Sequence, residues 1–396
     1  MLPVPYWRLS GYYLFYFAFI GAFSPYFGLY LQSLRFSAWD ISVLMTQMQV
    51  MRLVGPFFWS ALVDRIGYRM KVIRLTGAIT LAIFSVFFLA TRFEILLISL
   101  GFFAFFWVAA LPLVETLTFD HLRDEPARYS RIRLWGSVGF IATVLGVGVL
   151  LDSWPLSSLL WMCVLCLSGI VLCGVAIPEA PVRHGHELHQ PISRILRQPR
   201  VRALLAACFA MSAAHGALYV FYSIFLSDHG YSKSMVGGLW TLGVLAEIAV
   251  FFCMARLLRR FSLRQLLLAS FAAAVLRFVT IGLAVDKLLV LILAQLLHGL
   301  TFGAFHSAAI TAINRWFPGN TRSRGQALYS SLSFGAGGAV GGLVSGWAWD
   351  RLGSGITFAL GSLFALIGLM LIFGWVFDEN VSENGEQCVV DCSSEL

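Results

Sequence analysis

Two acids and two arginines, Glu115, Glu247, Arg52 and Arg277, lie deep inside long apolar runs of this chain. A charge at the centre of a bilayer costs several kcal/mol or more, so such residues are rare there and mark solute or ion pathways. A carboxyl group in a low-dielectric interior favours its protonated form, and a guanidinium brought close favours the carboxylate. Glu247 with a mobile or exchangeable arginine partner is therefore a candidate proton carrier. Three guanidiniums, Arg52, Arg133 and Arg277, are candidate docking groups for an anion through paired N–H bonds. His215 and His298 add two groups of a type that titrates near neutrality. The chemistry these residues suggest is the movement of a polar or charged solute together with protons; the alternative for Glu247 is a permanent structural ion pair.

The elements that must carry them are membrane helices. Of the 396 residues, 59% are hydrophobic and only 12% are charged, about half the charged fraction of a soluble domain. Apolar runs of roughly 20 residues recur, each long enough to cross a ~30 Å hydrocarbon layer. Twelve spans are expected, at roughly 8–32, 38–63, 70–91, 93–119, 131–152, 155–178, 201–228, 235–256, 264–284, 287–314, 325–349 and 355–377. The first apolar run starts at Tyr6, is longer than a signal peptide's and lacks a clear small-residue cleavage site, so it reads as a retained first helix.

The expected fold is all-α and integral to the membrane, with twelve transmembrane helices in two six-helix pseudo-symmetric halves. Residues 1–178 form the first half, 179–200 a linker, 201–377 the second half and 378–396 an acidic tail expected to be disordered. A faint echo between Pro56-Phe57-Phe58-Trp59-Ser60-Ala61 and Val250-Phe251-Phe252-Cys253-Met254-Ala255 agrees with duplication. With the N-terminus placed inside, the inner segments hold 21 Lys and Arg. The outer turns hold five, Arg35, Arg92, Lys233, Lys287 and Arg351. That bias puts both termini in the cytoplasm.

The net charge of +8 is explained by this sidedness, and no nucleic-acid partner is expected. The seven cysteines form no disulfide framework. Cys163 and Cys166 read as packing residues, and His184, His186 and His189 as part of a solvated linker. Neither H-E-x-x-H nor a nucleophile elbow is present, which argues against an intramembrane enzyme. The glycine-rich run Gly335 to Gly342 lacks the lysine of a phosphate loop and reads as a close helix contact or flexible gate.

Depth bookkeeping brings several polar groups together. Counting 1.5 Å per residue, Arg52, His215, Glu247, Arg277 and His298 all fall near the membrane midplane. Binding sites of secondary transporters lie at that depth, between the repeats. His306 lies about 80° further round its helix than His298 and ranks lower.

The turn Asp64-Arg65-Ile66-Gly67-Tyr68-Arg69-Met70-Lys71 resembles the loop signature G-x-x-x-D-R-x-G-R-R/K of the major facilitator superfamily, with Ser60 in place of the leading glycine and Tyr68 at a basic position. The resemblance implies that Asp64, Arg65, Gly67 and Arg69 form a gating loop. The equivalent turn of the second half carries Leu258 instead of the acid. Over nearly the whole length the chain is similar to the branch of the superfamily that includes the bacterial 3-phenylpropionate transporter, a relative of the lactose permease group. The stretches that carry this are Gly11-Tyr12-Tyr13, Arg133-Leu134-Trp135-Gly136-Ser137-Val138-Gly139-Phe140, Gly230-Tyr231-Ser232, Leu239-Trp240-Thr241-Leu242-Gly243-Val244 and Gln295-Leu296-Leu297-His298.

The resemblance to lactose permease places Glu115 and Arg133 where an acid of span four and an arginine of span five bind sugar, with Phe140 on nearly the same helix face as Arg133. It also marks a departure: Thr301 stands where that protein has its proton-coupling glutamate three residues beyond the histidine. Coupling then falls to Glu247 or Glu115, with His298 as a relay.

The expected substrate-binding set is Arg52, Glu115, Arg133, Phe140, His215, Arg277 and His298. The expected activity is proton-coupled import of a small aromatic organic acid such as 3-phenylpropionate, with a sugar or nucleoside symporter as the alternative. No cofactor is expected beyond the driving proton. The chain is expected to work as a monomer in the bacterial inner membrane, in contact with lipid and a small-molecule substrate.

Overall fold

The computed structural model describes residues 4–122, 128–180 and 192–377, apart from the side chain of Asn320. The linker histidines His184, His186 and His189 and the tail from residue 378 lie outside the described residues.

Among the described residues the chain is helical, without strands. The long helices are α1 (Tyr6–Ser33), α2 (Ala38–Ile66), α3 (Arg69–Phe88), α4 (Phe93–Leu122), α5 (Arg128–Ser153), α6 (Ser158–Ala176), α7 (Pro199–Asp228), α8 (Lys233–Arg260), α9 (Leu263–Leu283), α10 (Leu288–Trp316), α11 (Arg322–Leu352) and α12 (Ser354–Trp375). Eleven of them are long and apolar enough to cross a membrane. The twelfth, α2, has 29 residues but is less apolar, because Asp40, Gln47, Gln49, Arg52, Asp64 and Arg65 interrupt it. That polarity marks α2 as a helix with a wet face.

The helix ends follow from local chemistry. Ser37 caps α2 in a capping box with Asp40, and Ser262 caps α9 with Gln265. Gly67 ends α2 at φ +74°, a left-handed conformation that a side chain disfavours. Two long helices change their winding midway. α10 contains a π-helical segment at Gly299–Ala304, and α11 another at Ser331–Gly337. α7 is interrupted at His215, whose Nδ1 bonds the Met211 carbonyl at 2.8 Å.

Packing repeats between the halves. In the first, α1 packs on α5 and α6, α4 on α2 and α3, and α3 on α6. In the second, α7 packs on α11 and α12, α10 on α8 and α9, and α9 on α12. Adding six to each helix number of the first scheme gives the second. The halves meet through α1 with α7, α2 with α11 and α5 with α8. α1 and α7 are the most buried of the spans, as central helices must be. The Gly335–Gly342 run packs at this seam: a side chain at Gly342 would strike the Thr46 hydroxyl of α2.

One face of the bundle is tied shut between the halves. It is the face opposite the one that holds Val4 and Phe377. Asp152, ending α5, accepts from the backbone N–H of Lys233 and Ser234, at 2.6 and 3.2 Å, where α8 begins. Asp350, near the end of α11, accepts from the backbone N–H of Ala38 and Trp39, at 3.3 and 3.0 Å, where α2 begins. These contacts are each other's counterparts under the six-helix repeat. In both, a carboxylate meets the unsatisfied N–H groups of a helix start on the other half. Tyr26 adds a bond from α1 to the Lys233 carbonyl at 3.3 Å, and Gln32 one to Asp228 at 3.0 Å. Exposed carboxylate caps of this kind contribute about 0.5–1 kcal/mol each. The double variant Asp152→Ala/Asp350→Ala is therefore expected to shift the open-to-closed ratio of this face on the order of tenfold. Spin-label distances across the face report it; an unchanged distance distribution would assign closure to helix packing alone.

Candidate functional site

A cavity of about 460 Å³ lies between the halves. Its wall from the first half is aromatic, with Phe17, Phe19, Phe23, Trp107 and Phe140, and carries Arg52 and Arg133. Its wall from the second half carries Tyr219, Tyr222, Trp240, Glu247, Arg277, Gln295 and His298. Three guanidiniums thus face a single carboxylate. The aromatic wall is preassembled: Trp107 stacks on Tyr16 at 4.5 Å, and Phe19, Phe23 and Phe103 pack around it.

Arg277 is the hub of the second-half wall and is wholly buried. Its Nε donates to the Ala294 carbonyl at 2.9 Å and its Nη2 to Gln295 Oε1 at 3.0 Å. Nη1 points at three acceptors: His298 Nδ1 at 3.1 Å, Thr301 Oγ1 at 3.1 Å and His215 Nε2 at 3.3 Å. No carboxylate among the described residues pairs with it. Five neutral acceptors compensate a charge whose burial would otherwise be prohibitive.

An arginine only donates, so these bonds fix the histidines. His215 gives its Nδ1–H to Met211 and presents a bare Nε2 to Arg277. His298 presents a bare Nδ1 to Arg277, which leaves its proton on Nε2. That Nε2 lies 3.8 Å from Glu247 Oε2, beyond hydrogen-bond length. A chain of groups therefore runs from Glu247 through the imidazole of His298 to Arg277. A second proton on His298 would face a guanidinium N–H, so taking it up requires Arg277 to move.

The approach of α10 to α8 sets the Glu247–His298 contact. Gly299 packs on the Ala246 carbonyl, where a Cβ would come within 2.7 Å, and Gly303 sits over the Glu247 carbonyl. This small-x-x-x-small spacing brings two backbones together. Gly299→Val separates them. Overpacking costs about 1–3 kcal/mol, and uptake is expected to fall at least about tenfold because a shift of 1 Å in a positioned site suffices for that. Uptake rate and thermal midpoint, measured together, would show whether the loss is local.

The expected site residues divide by position. Arg52, Glu247, Arg277, His298, Arg133 and Phe140 all line the cavity. His215 stands behind it, holding Arg277. Glu115 lies outside the lining, where its Oε1 accepts from the Tyr129 hydroxyl at 3.2 Å. Among the described residues no ion pair joins Glu115 to Arg133; Arg133 instead lies over the Phe17 ring at 3.8 Å. His306 bonds the Tyr329 hydroxyl at 2.8 Å.

At the turn after α2, Arg69, the first residue of α3, pairs with Asp120 of α4. Lys71 lies over the Tyr68 ring at 4.0 Å. Asp64 and Arg65 are exposed.

Gln295, Tyr222 and Trp240 are site residues outside the expected set, as is Thr301, expected only as a departure from lactose permease. Their signal was one of spacing. Gln295, His298 and Thr301 recur every three residues along α10, and His215, Tyr219 and Tyr222 recur at helical spacing along α7, so each set shares a face.

The sequence pattern of the MFS_1 like family matches residues 6–360. A protein of Escherichia coli (strain K12) described as "Probable 3-phenylpropionic acid transporter" is 30% identical over 93% of this chain and 96% of its own length. The maltose permease of Geobacillus stearothermophilus is 25% identical over 91% of this chain and 92% of its own. Among solved structures, the nucleoside transporter NupG superposes with a TM-score of 0.82 at 15% identity, covering 94% of this chain and 99% of that one. A bacterial homologue of the human lysosomal transporter Spinster, in an inward-facing unoccupied conformation, superposes with a TM-score of 0.67 at 16% identity, covering 93% and 96%. With twelve helices in two repeated halves around a central cavity, the chain belongs to the major facilitator superfamily, in its MFS_1 like family, and is a multi-pass membrane transporter rather than an enzyme.

Proposed function

We propose that this transporter imports a small aromatic organic acid together with protons by alternating access. The observation that carries the reading is the charge of the cavity: Arg52, Arg133 and Arg277 surround it and, among the described residues, Glu247 is its one acidic lining residue. A cavity with surplus cationic charge favours an anion, and a low-dielectric wall strengthens that preference. The aromatic residues opposite suit a ring through offset or edge contacts. The 30% identity to a protein described as a 3-phenylpropionic acid transporter points to the same chemistry.

In this reading the substrate carboxylate approaches Arg277 and its ring lies among the first-half aromatics. Binding then draws on both halves, as alternating access demands. A carboxylate beside Arg277 offers the guanidinium a new acceptor and frees His298 Nδ1. His298 can then take a proton from Glu247 or pass one to it, so occupancy of the anion site and protonation of Glu247 become linked. The loop of Asp64, Arg65, Gly67 and Arg69 acts as the gate on the face that holds the termini. The bacterial relatives support a place in the inner membrane, and the excess of Lys and Arg on that face supports both termini being cytoplasmic. A monomer suffices, because one chain supplies both walls.

A sugar or nucleoside symporter is the second reading, favoured by the 25% identity to maltose permease. Uptake of radiolabelled 3-phenylpropionate, maltose and uridine into proteoliposomes under an imposed inward proton gradient separates the two. Protonophore-sensitive accumulation of the acid alone, with empty liposomes at background, supports the organic-acid reading. Accumulation of maltose or uridine instead overturns it.

A further inference from the structure

One end of the cavity holds polar groups that the reading above leaves unused. Gln295 and Tyr222 are buried to within 3% and 1% of full enclosure, and both line the cavity. Gln295 Oε1 is taken by Arg277 Nη2 at 3.0 Å. Because the arginine can only donate, this bond fixes the orientation of the amide and turns its NH₂ group away from the guanidinium. Gln295 is thereby made a donor. The Tyr222 hydroxyl lies beside Gln295, yet among the described residues neither Tyr222 Oη nor Gln295 Nε2 has a hydrogen-bond partner of good geometry. Nη2 of Arg277 carries two hydrogens, and among the described residues Gln295 accepts only one.

A buried donor left unpaired costs roughly 1–3 kcal/mol, so three in one corner of a cavity call for a ligand that brings acceptors. A carboxylate has two oxygens, about four lone-pair directions and no donor. A sugar or nucleoside edge would bring donors of its own into a corner that supplies donors. We propose that Gln295 Nε2, Tyr222 Oη and the second Nη2 hydrogen of Arg277 form the docking site for the substrate's carboxylate. Gln295 and Tyr222 are then specificity-determining residues, and Arg277 both binds the anion and sets the amide of Gln295 to face it. The proposal rests on the organic-acid reading and adds where the acid group sits.

The test measures equilibrium binding of 3-phenylpropionate and of its neutral amide, 3-phenylpropanamide, to the full chain in lipid nanodiscs. Quenching of Trp240 and Trp107, both in the cavity wall, gives the signal. Removing a hydrogen bond to a charged group costs about tenfold or more in affinity, so Gln295→Leu is expected to lose at least that for the acid and under about threefold for the amide. Tyr222→Phe removes a single hydroxyl, leaves the ring packing intact and is expected to show the same split at about five- to tenfold. Gln295→Glu sets a carboxylate against Arg277 and is expected to occupy the site, abolishing binding of the acid.

Equal losses for acid and amide in both Gln295→Leu and Tyr222→Phe overturn the docking site and leave those residues with a structural part. Full acid affinity in both variants overturns it as well, while a wild-type chain that binds the acid keeps the organic-acid reading alive. A wild-type chain that binds neither ligand but binds uridine or maltose overturns both.

Discussion

Arg277→Gln lowers the affinity for 3-phenylpropionate by about 100-fold or more, while a neutral analogue of the same shape loses only a few-fold. Five neutral acceptors surround the guanidinium, and none of them cancels its charge. An anion entering the cavity would be its first ionic partner. Hydrogen bonds to charged groups contribute about 1.5–3 kcal/mol each, and breaking a buried pair by deleting one member costs about 3–5 kcal/mol. Either figure corresponds to two orders of magnitude or more. Glutamine retains a donor but neither the charge nor the fork. Arg277→Lys separates those two contributions, because it keeps a point charge and loses the planar pairing geometry. The neutral analogue serves as the control for folding: a collapsed cavity would lose both ligands. Equal losses in the glutamine variant would sink the anion reading and leave Arg277 as a strut between α7, α9 and α10.

Much of this architecture was written in the chain, for a physical reason. A span must satisfy its backbone internally and match a fixed thickness, so apolar runs give the helices, and the bias of Lys and Arg gives an even number of crossings. The constant rise per residue puts Arg52, Glu247, Arg277 and His298 at one level in the sequence, and these four line one cavity. Orientation about each helix axis was not legible. In a soluble helix the polar face declares itself, but here both the lipid face and the packed face are apolar. Glu115 and Glu247 therefore looked alike in the sequence. The structure separates them: Glu247 lines the cavity, while Glu115 lies behind Tyr129.

The local unwinding at His215 and the π segments at Gly299–Ala304 and Ser331–Gly337 were equally hidden. Such turns are decided by what neighbouring helices press against, not by local propensity. Gln295 was missed for a simpler reason. An uncharged amide raises no alarm in an apolar run, and only the bond from Arg277 reveals that its donor side has no hydrogen-bond partner among the described residues.

Glu247→Gln is expected to abolish uphill accumulation under a proton gradient while leaving exchange of preloaded substrate intact. The substitution keeps the shape and leaves a carbonyl oxygen able to face His298 Nε2–H, as the carboxylate does from 3.8 Å. What it removes is the exchangeable proton. A glutamine mimics the protonated carboxyl permanently, so the steps that carry loaded cavity from one face to the other remain open. The return of the empty carrier with Glu247 deprotonated does not exist in the variant.

Counterflow of labelled against unlabelled acid should then run within about threefold of the parent rate, since a group lost from one step alone alters only that step. Net uptake should be absent, whatever the imposed pH difference, because it needs the return of the empty carrier. Continued accumulation would pass the proton to Glu115, the other acid deep within an apolar run, and Glu115→Gln in the same assay would then be the decisive variant. Loss of counterflow and of binding together would place Glu247 in contact with the substrate. In that case the surplus of positive charge around the cavity would have to be reckoned with the acid as a reader of the ligand, which favours a sugar or nucleoside hydroxyl over a carboxylate. The result for Glu247 thus bears on the identity of the solute as well as on the proton, because one carboxylate among three arginines cannot take both parts unnoticed.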